Sequence, residues 1–388
     1  GTLVGIAVTA MIQSSSATTV MVVGFVNAGL MSLVQSIGIV LGANIGTTIT
    51  AQLIAFKITH YALPAIGIGA GFKLFAKNKK WSYAGEILLG FGLLFFGLSV
   101  MKAAFDPLKA CEEFRQLFMI IGDNHLLGVL IGAILTIVVQ SSTATIGITI
   151  ALASTGILTF EASVALILGE NIGTTITTNL AAIGTNLAAR RTALAHFLFN
   201  TFGVCYMLLF FTLFTRFVAS ITPGDADFII QTQEQAIRLG GEIGDKPFIA
   251  RHIANTHTLF NIVNAIIFLP LIGVLAKIST MAIRGRDKEV EVHLKYLDNR
   301  VLNTPPIALA QARSETRRMA RVALEMVDET LAFLQDNDLK RLPALEQKEV
   351  LTDALQKEIT NFLVALSQTS ITQESSQELA SMMHMVND

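Results

Sequence analysis

Residues 1–56 contain no charged side chain, and neither do residues 126–160. Stretches of that kind suit hydrocarbon or a deep core, and in hydrocarbon every backbone N–H and C=O must be bonded within the chain. Each stretch is nevertheless broken by a polar run: Gln13-Ser14-Ser15-Ser16-Ala17-Thr18-Thr19 in the first and Gln140-Ser141-Ser142-Thr143-Ala144-Thr145 in the second. A glutamine followed by three hydroxyls is costly in hydrocarbon unless those groups find partners. The pieces ahead of the runs, Gly1–Ile12 and Leu126–Val139, fall short of the roughly twenty apolar residues a spanning helix needs. Each motif is therefore predicted at a re-entrant hairpin or an unwound helix at bilayer depth. Irregular backbone is tolerated there only when buried in protein or lining a watery cavity.

The two motifs lie 127 residues apart, and at that offset Gly1–Thr50 matches Gly128–Thr177 without a gap. Thr9 meets Thr136 and Gly29 meets Gly156; Asn44-Ile45-Gly46-Thr47-Thr48-Ile49-Thr50 meets Asn171-Ile172-Gly173-Thr174-Thr175-Ile176-Thr177 residue for residue. Two motifs recurring with their spacing intact mark a duplicated unit. One departure stands out: Ala43 faces Glu170, so only the second copy carries a carboxylate. Glu170 could bind a cation or a proton, or pair with Arg190 or Arg191.

Charge is unevenly spread. Lys, Arg, Asp and Glu number 27 in residues 1–283 and 30 in the remaining 105. The chain is accordingly predicted to be an all-α polytopic membrane protein with inverted repeats and re-entrant or broken helices, followed by a soluble helical bundle. The membrane domain covers 1–283, with repeat one at about 1–57, repeat two at about 82–190, and further spans at 196–217 and 256–277. Within it, His60–Phe75 reads as a spanning helix, a second runs from Ser82 to about Ala104, and Phe105–Asp123 looks interfacial. A polar loop, Ala219–Ile253, joins the last two spans. From 284 to 388, helical apolar spacing appears at Ala308–Gln335, Pro343–Ser367 and Glu374–Val386, broken at Asn337-Asp338 and Ser370–Thr372. Basic residues at Lys77–Lys80, Arg190-Arg191 and Arg284–Lys288 are expected in the cytoplasm. That places the tail there and inverts the second repeat relative to the first, an arrangement recurrent in secondary transporters. By symmetry a counterpart of residues 82–127 is expected ahead of Gly1, and the tail is expected to continue past Asp388.

Gln, Ser and Thr bring oxygens and hydroxyl protons into the membrane without charge. The oxygens suit a hard cation and the hydroxyls an oxyanion, while broken helices add carbonyls for the one and N-terminal N–H groups for the other. Gly42, Gly46, Gly169 and Gly173 permit turns and close backbone approach. Helix packing is sufficient reason for Thr9, Thr19, Thr50 and Thr177. It also suffices for two His-x-x-Phe-Asn runs, His196–Asn200 and His257–Asn261, whose His and Asn share a helix face. Cys111 and Cys205 lack metal-ligand spacing. A net charge of −1 gives nothing to hold nucleic acid, and the absence of Gly-x-Ser-x-Gly, P-loop and HExxH motifs argues against an enzyme.

The paired Gln-Ser-Ser-[Ser/Thr] motifs, each followed by Gly-[Ala/Glu]-Asn-Ile-Gly-Thr-Thr, resemble the sodium/phosphate cotransporter family, which includes the animal type II transporters. The similarity covers residues 1–283, and the charged tail resembles the PhoU-like helical domain fused to many bacterial members. The resemblance implies a multi-pass carrier of the inner or plasma membrane that moves inorganic phosphate inward with sodium as co-substrate and no other cofactor. It implies that Gln13, Ser14, Ser15, Ser16, Gln140, Ser141, Ser142 and Thr143 bind the substrate. Sodium would use the same motifs with Thr18, Asn44, Thr47, Thr48, Thr145, Asn171, Thr174, Thr175 and Glu170. The partners it implies are phosphate, sodium and the bilayer, with a homo-oligomer left open. Two rivals remain: a sodium-coupled carrier of another oxyanion, and a membrane-anchored phosphate sensor whose tail signals.

Overall fold

The computed structural model describes residues 1–56, 61–109, 124–285, 294–336 and 342–387, and all regular structure among them is helical. The first repeat forms α1 (Thr2–Ile12), α2 (Ser15–Asn27) and α3 (Leu33–Ile54). After α4 (Ala62–Phe75) and α5 (Lys79–Lys109), the second repeat forms α6 (His125–Val139), α7 (Ser142–Ser154), α8 (Phe160–Gly173) and α9 (Thr175–Ala181).

Each Gln-Ser-Ser motif interrupts a helix, as the sequence predicts. Gln13 and Gln140 have φ of 59° and 56°, and no other described non-glycine residue has positive φ. Their N–H groups bond the carbonyls of Thr9 and Thr136, both at 2.7 Å. This is the left-handed helix stop that glycine usually makes. With a side chain present it costs on the order of 1 kcal/mol, and both copies carry that strain at the same register. The two repeats also turn at the aligned glycines Gly29 and Gly156, with φ of 66° and 83°.

Backbone contact closes each hairpin. A Cβ at Gly42 would strike the Thr2 carbonyl and one at Gly5 the Ile39 carbonyl; in the second repeat Gly169 meets Val129 and Gly132 meets Leu166 in the same way. These pairs superpose at the 127-residue offset, so the repeat seen in sequence is reproduced in packing. Gly42, Gly46 and Gly169 therefore serve close approach alone, and the expectation that they also form turns is corrected, because these three lie inside helices. Gly173 also serves close approach, but it ends α8 beside the turn at Thr174.

Among the described residues, three helices are long and apolar enough to cross a bilayer: Leu33–Ile54, Lys79–Phe105 and Leu187–Leu209. The predicted span His60–Phe75 is shorter than expected. α4 has 14 residues, about 21 Å at the usual rise against roughly 30 Å of hydrocarbon. It packs along α5, where Gly69, Gly85 and Gly92 let the backbones touch. α5 continues to Lys109 through the start of the segment read as interfacial, and residues 110–123 lie outside the described ones.

The predicted span 196–217 begins earlier, as α10 (Leu187–Leu209), and breaks at Phe210 before α11 (Phe211–Ile221). The span read at 256–277 is a bent pair, α13 (Ile249–Phe268) and α14 (Ile272–Ala282), meeting at 82°. Pro270 sits in that break and has no N–H to continue a helix. The polar loop between them holds α12 (Gln233–Leu239) and is tied down by Lys246, whose Nζ donates to Leu158 O at 2.9 Å and pairs with Asp227 at 2.6 Å.

A second compact unit gathers residues 20–36, 182–192 and the chain from Ala276 onward. Asn27 and Asn186 bond each other's backbone at 2.9 Å, and Arg191 donates to the carbonyls of Ile283 and Gly285. The tail folds as α15 (Pro305–Asp336), α16 (Leu342–Ser367) and α17 (Gln373–Asn387) around Leu309, Ile359, Phe362 and Met382. The predicted break at Asn337-Asp338 falls outside the described residues. Glu315 is fully buried and accepts from the N–H groups of Lys295 (2.9 Å) and Tyr296 (2.5 Å) and from Arg318 (2.8 Å).

Gly169→Ala drives a methyl into the Val129 carbonyl and is expected to cost about 1–3 kcal/mol. Gly90→Ala, in open space on α5, gains helix propensity and should hold or raise stability by up to about 1 kcal/mol. Thermal melting of both variants in detergent checks the contrast. Glu315→Leu strands two backbone donors and an arginine, which should cost about 1–3 kcal/mol and speed proteolysis near residue 296.

Candidate functional site

Both repeats converge on one narrow cavity lined by Ser15, Asn44 and Thr47 from the first and Ser142, Asn171 and Thr174 from the second, with Glu170 and His257. The six repeat residues are three equivalent pairs at the 127-residue offset. All eight side chains are buried, and the cavity has room for about one water. Ser15 and Ser142 are the first residues of α2 and α7. The breaks therefore bring two helix N-termini, with their free N–H groups and positive dipole ends, to the cavity.

Around this lining runs a ring of hydroxyls. Thr9 donates to Thr18 at 3.1 Å, and in the second repeat Thr136 donates to Thr145 at 3.3 Å, pinning each motif to the helix before it. Thr50 donates to Gln13 Oε1 at 2.5 Å. Between repeats, Thr177 donates to Ser16 at 3.3 Å and Thr19 meets Thr178 at 2.7 Å. Thr9, Thr19, Thr50 and Thr177, assigned to packing by sequence, thus brace the motifs.

His196 anchors the first half. Its Nε2 lies 3.3 Å from Asn44 Oδ1 and its Nδ1 3.1 Å from Thr178 Oγ1. Asn44 Oδ1 can only accept, so a neutral His196 carries its proton on Nε2, and Thr178 donates to Nδ1. Asn44 Nδ2 donates to Asn200 Oδ1 at 2.7 Å, which fixes the amide that faces the cavity. His257 lines the cavity itself, with Nδ1 buried and unpartnered. The repeated His-x-x-Phe-Asn runs signalled these two histidines; what they face was not legible from the spacing.

The other motif residues lie around the cavity rather than in its wall. Gln13 and Gln140 are exposed, and Ser14, Ser16, Ser141 and Thr143 are half-buried. Ser14 and Ser141 accept from the N–H groups of Ala17 and Ala144. Thr18 and Thr145 bond their own motif's carbonyls, while Thr48 and Thr175 donate to Ile45 and Ile172. Glu170 is 1% exposed; Thr149 donates to its Oε1 at 2.8 Å and its Oε2 has no partner. The alternative pairing of Glu170 with Arg190 or Arg191 is not what the structure has: Arg191 spends its donors on carbonyls and Arg190 is exposed. Among the described residues no group of His, Cys, Asp and Glu has metal-holding geometry.

The arrangement offers hydroxyl and amide donors, oxygen acceptors and two helix N-termini in a buried space. That is a donor set for an anion accompanied by a cation.

A family model described as Na+/Pi-cotransporter matches residues 1–103 and 108–222, and one for the PhoU domain matches residues 316–388. YjbB of Escherichia coli (strain K12), named for inorganic phosphate export, is 28% identical over 382 residues, covering 98% of this chain and 66% of the relative. The uncharacterized protein YqeW of Bacillus subtilis (strain 168) is 32% identical over 284 residues, 73% of this chain and 84% of its own length. Human sodium-dependent phosphate transport protein 2B is 33% identical over 135 residues, covering 32% of this chain and 19% of that one. The chain thus spans 66% of the length of the first of these relatives. No solved structure matches it. With the cotransporter model matching more than half of its residues, both Gln-Ser-Ser motifs among them, the chain belongs to the Na+/Pi-cotransporter family.

Proposed function

We propose that this chain is a multi-pass membrane carrier that moves inorganic phosphate together with sodium by alternating access around the two-repeat cavity. The observation that carries the reading is the pairing of Ser15 with Ser142, Asn44 with Asn171 and Thr47 with Thr174 around one buried space. A site built from equivalent halves of a duplication can be presented to either side by moving one half against the other. Phosphate meets the serine hydroxyls and the N-termini of α2 and α7, and sodium meets the Asn and Thr oxygens. Sodium offsets part of the anion's charge, without which crossing a low-dielectric barrier is prohibitive. The cavity has room for about one water, so loading requires its walls to part, and the helix breaks at Gln13 and Gln140 supply the joints. In this reading the second repeat is inverted relative to the first. The membrane domain ends near Arg284, and the PhoU-like tail lies in the cytoplasm.

Labelled phosphate flux in proteoliposomes tests this. Flux should follow an imposed sodium gradient; flux indifferent to sodium would refute the coupling. Ser15→Ala and Ser142→Ala should each weaken phosphate affinity about tenfold or more, since a hydrogen bond to a charged group is worth about 1.5–3 kcal/mol, with melting temperature unchanged. Gln13→Ala, outside the cavity wall, should act on turnover more than on affinity.

One relative covering nearly the whole chain carries a name for phosphate export, so net efflux is the second reading. Reversing the sodium gradient decides between them: a symporter reverses with it, and an exporter does not. Flux that survives deletion of residues 300–388 removes the sensor reading.

A further inference from the structure

Gly29 and Gly156 stand at the same register of the two repeats, yet different parts of the chain hold the turns they make. Gly156 packs on the carbonyl of Gly244, in the polar loop between α11 and α13. Beside it the Lys246 N–H donates to Ser154 O at 2.8 Å and its Nζ to Leu158 O at 2.9 Å, while Asp227 accepts from the Phe160 N–H at 3.2 Å. The second hairpin is thus fastened by a loop of its own compact unit, which contains residues 147–163 and 219–253 together.

The first hairpin is fastened by the tail. Residues 20–36, the second half of α2 and the turn after it, gather with the chain from Ala276 onward rather than with the rest of their repeat. A Cβ at Gly29 would lie 3.1 Å from the Tyr296 ring, and one at Gly24 would lie 3.4 Å from Val301. Val301 is buried in the tail's apolar core with Leu309 and Phe362. Tyr296 is set in place by α15: buried Glu315 accepts from the N–H groups of Lys295 and Tyr296, and buried Gln311 accepts from that of Asp298 at 3.0 Å. Asn27 adds its bonds to Asn186, from residues 182–192 of the same unit.

We propose that the tail is a brake on the carrier, applied through Tyr296 and Val301 to the end of α2 and the turn that follows it. α2 begins at Ser15 in the cavity wall and ends at Asn27, two residues before Gly29. A rigid helix jointed at Gln13 can move its serine only if its far end moves too, and the far end is what the tail grips. A repacking of α15 that withdraws Glu315 and Gln311 frees residues 295–298, lifts Tyr296 from Gly29 and releases the hairpin. The second hairpin, held by its own loop, has no such handle on the tail. The brake rests on the transport reading above; the grip of the tail on the hairpin does not.

The test uses the full chain in proteoliposomes with two readouts. Amide hydrogen exchange over residues 20–36 should run about tenfold faster in Tyr296→Ala and in Gly24→Leu than in the unaltered chain, while residues 147–163 keep their protection. Tyr296→Phe keeps the ring and should match the unaltered chain. Gly24→Leu wedges Val301 away from the α2 side, so it carries the test if Tyr296→Ala loosens the tail's own fold. In parallel, maximal phosphate flux should rise about fivefold in both variants, the effect of taking roughly 1 kcal/mol off the barrier, with the phosphate concentration for half-maximal flux unchanged. Faster exchange at 20–36 in the variants, with no phosphate flux even in the unaltered chain, supports the grip and refutes the transport reading instead. Unchanged exchange at 20–36 in both variants overturns the proposal. So does maximal flux that falls or stays level while exchange quickens, or exchange that quickens equally at 147–163, which would mark a general structural lesion.

Discussion

Hydrocarbon offers no partner to a bare amide or hydroxyl, and the membrane part of this chain is arranged around that fact. Each helix that stops at Gln13 or Gln140 frees backbone groups that then need other partners. The structure meets them in three ways: a left-handed cap that returns the Gln N–H to the helix, serine side chains that accept from the next turn, and burial of the N-terminal serines against the other repeat. The cavity is what remains once those demands are met from both sides. Polar lining and broken helix are thus one feature, since neither is tolerable without the other.

Glycine makes the arrangement compact. With Gly5, Gly42, Gly132 and Gly169 at the contacts, the helices of each hairpin approach until backbone touches backbone, as small residues allow in membranes, where apolar burial between helices drives little. That closeness holds α3 and α8 against the helices carrying the motifs and brings Asn44, Thr47, Asn171 and Thr174 to the cavity. The threonines one layer out, Thr9, Thr50, Thr136 and Thr177, then hold the motif side chains at hydrogen-bond distance.

The tail obeys different rules. Its helices bury an apolar stripe against one another in the manner of a soluble bundle, and its buried carboxylate, Glu315, is matched by two N–H groups and an arginine. Glu170 in the membrane part has one hydroxyl and nothing more. Two buried glutamates of one chain differ in this way because the first closes a structural joint, whereas the second lines the cavity.

From the sequence alone came the duplication, the helical class, the two breaks and the division between apolar body and charged tail. All of these follow from composition and local spacing, which one-dimensional pattern records directly. Helix ends near Phe210 and Pro270, the short α4, and the purely close-packing role of Gly42 and Gly169 did not, because they depend on which helix lies alongside. Nor could spacing show that Ser15 and Ser142 face the cavity while Gln13 and Gln140 lie outside it. A motif names candidate donors, but the direction each side chain takes is set by helix phase and by the neighbour it meets. Only the folded chain could place His196 on Asn44 and line one cavity with both Glu170 and His257, since residues far apart in sequence come together only when the hairpins pack.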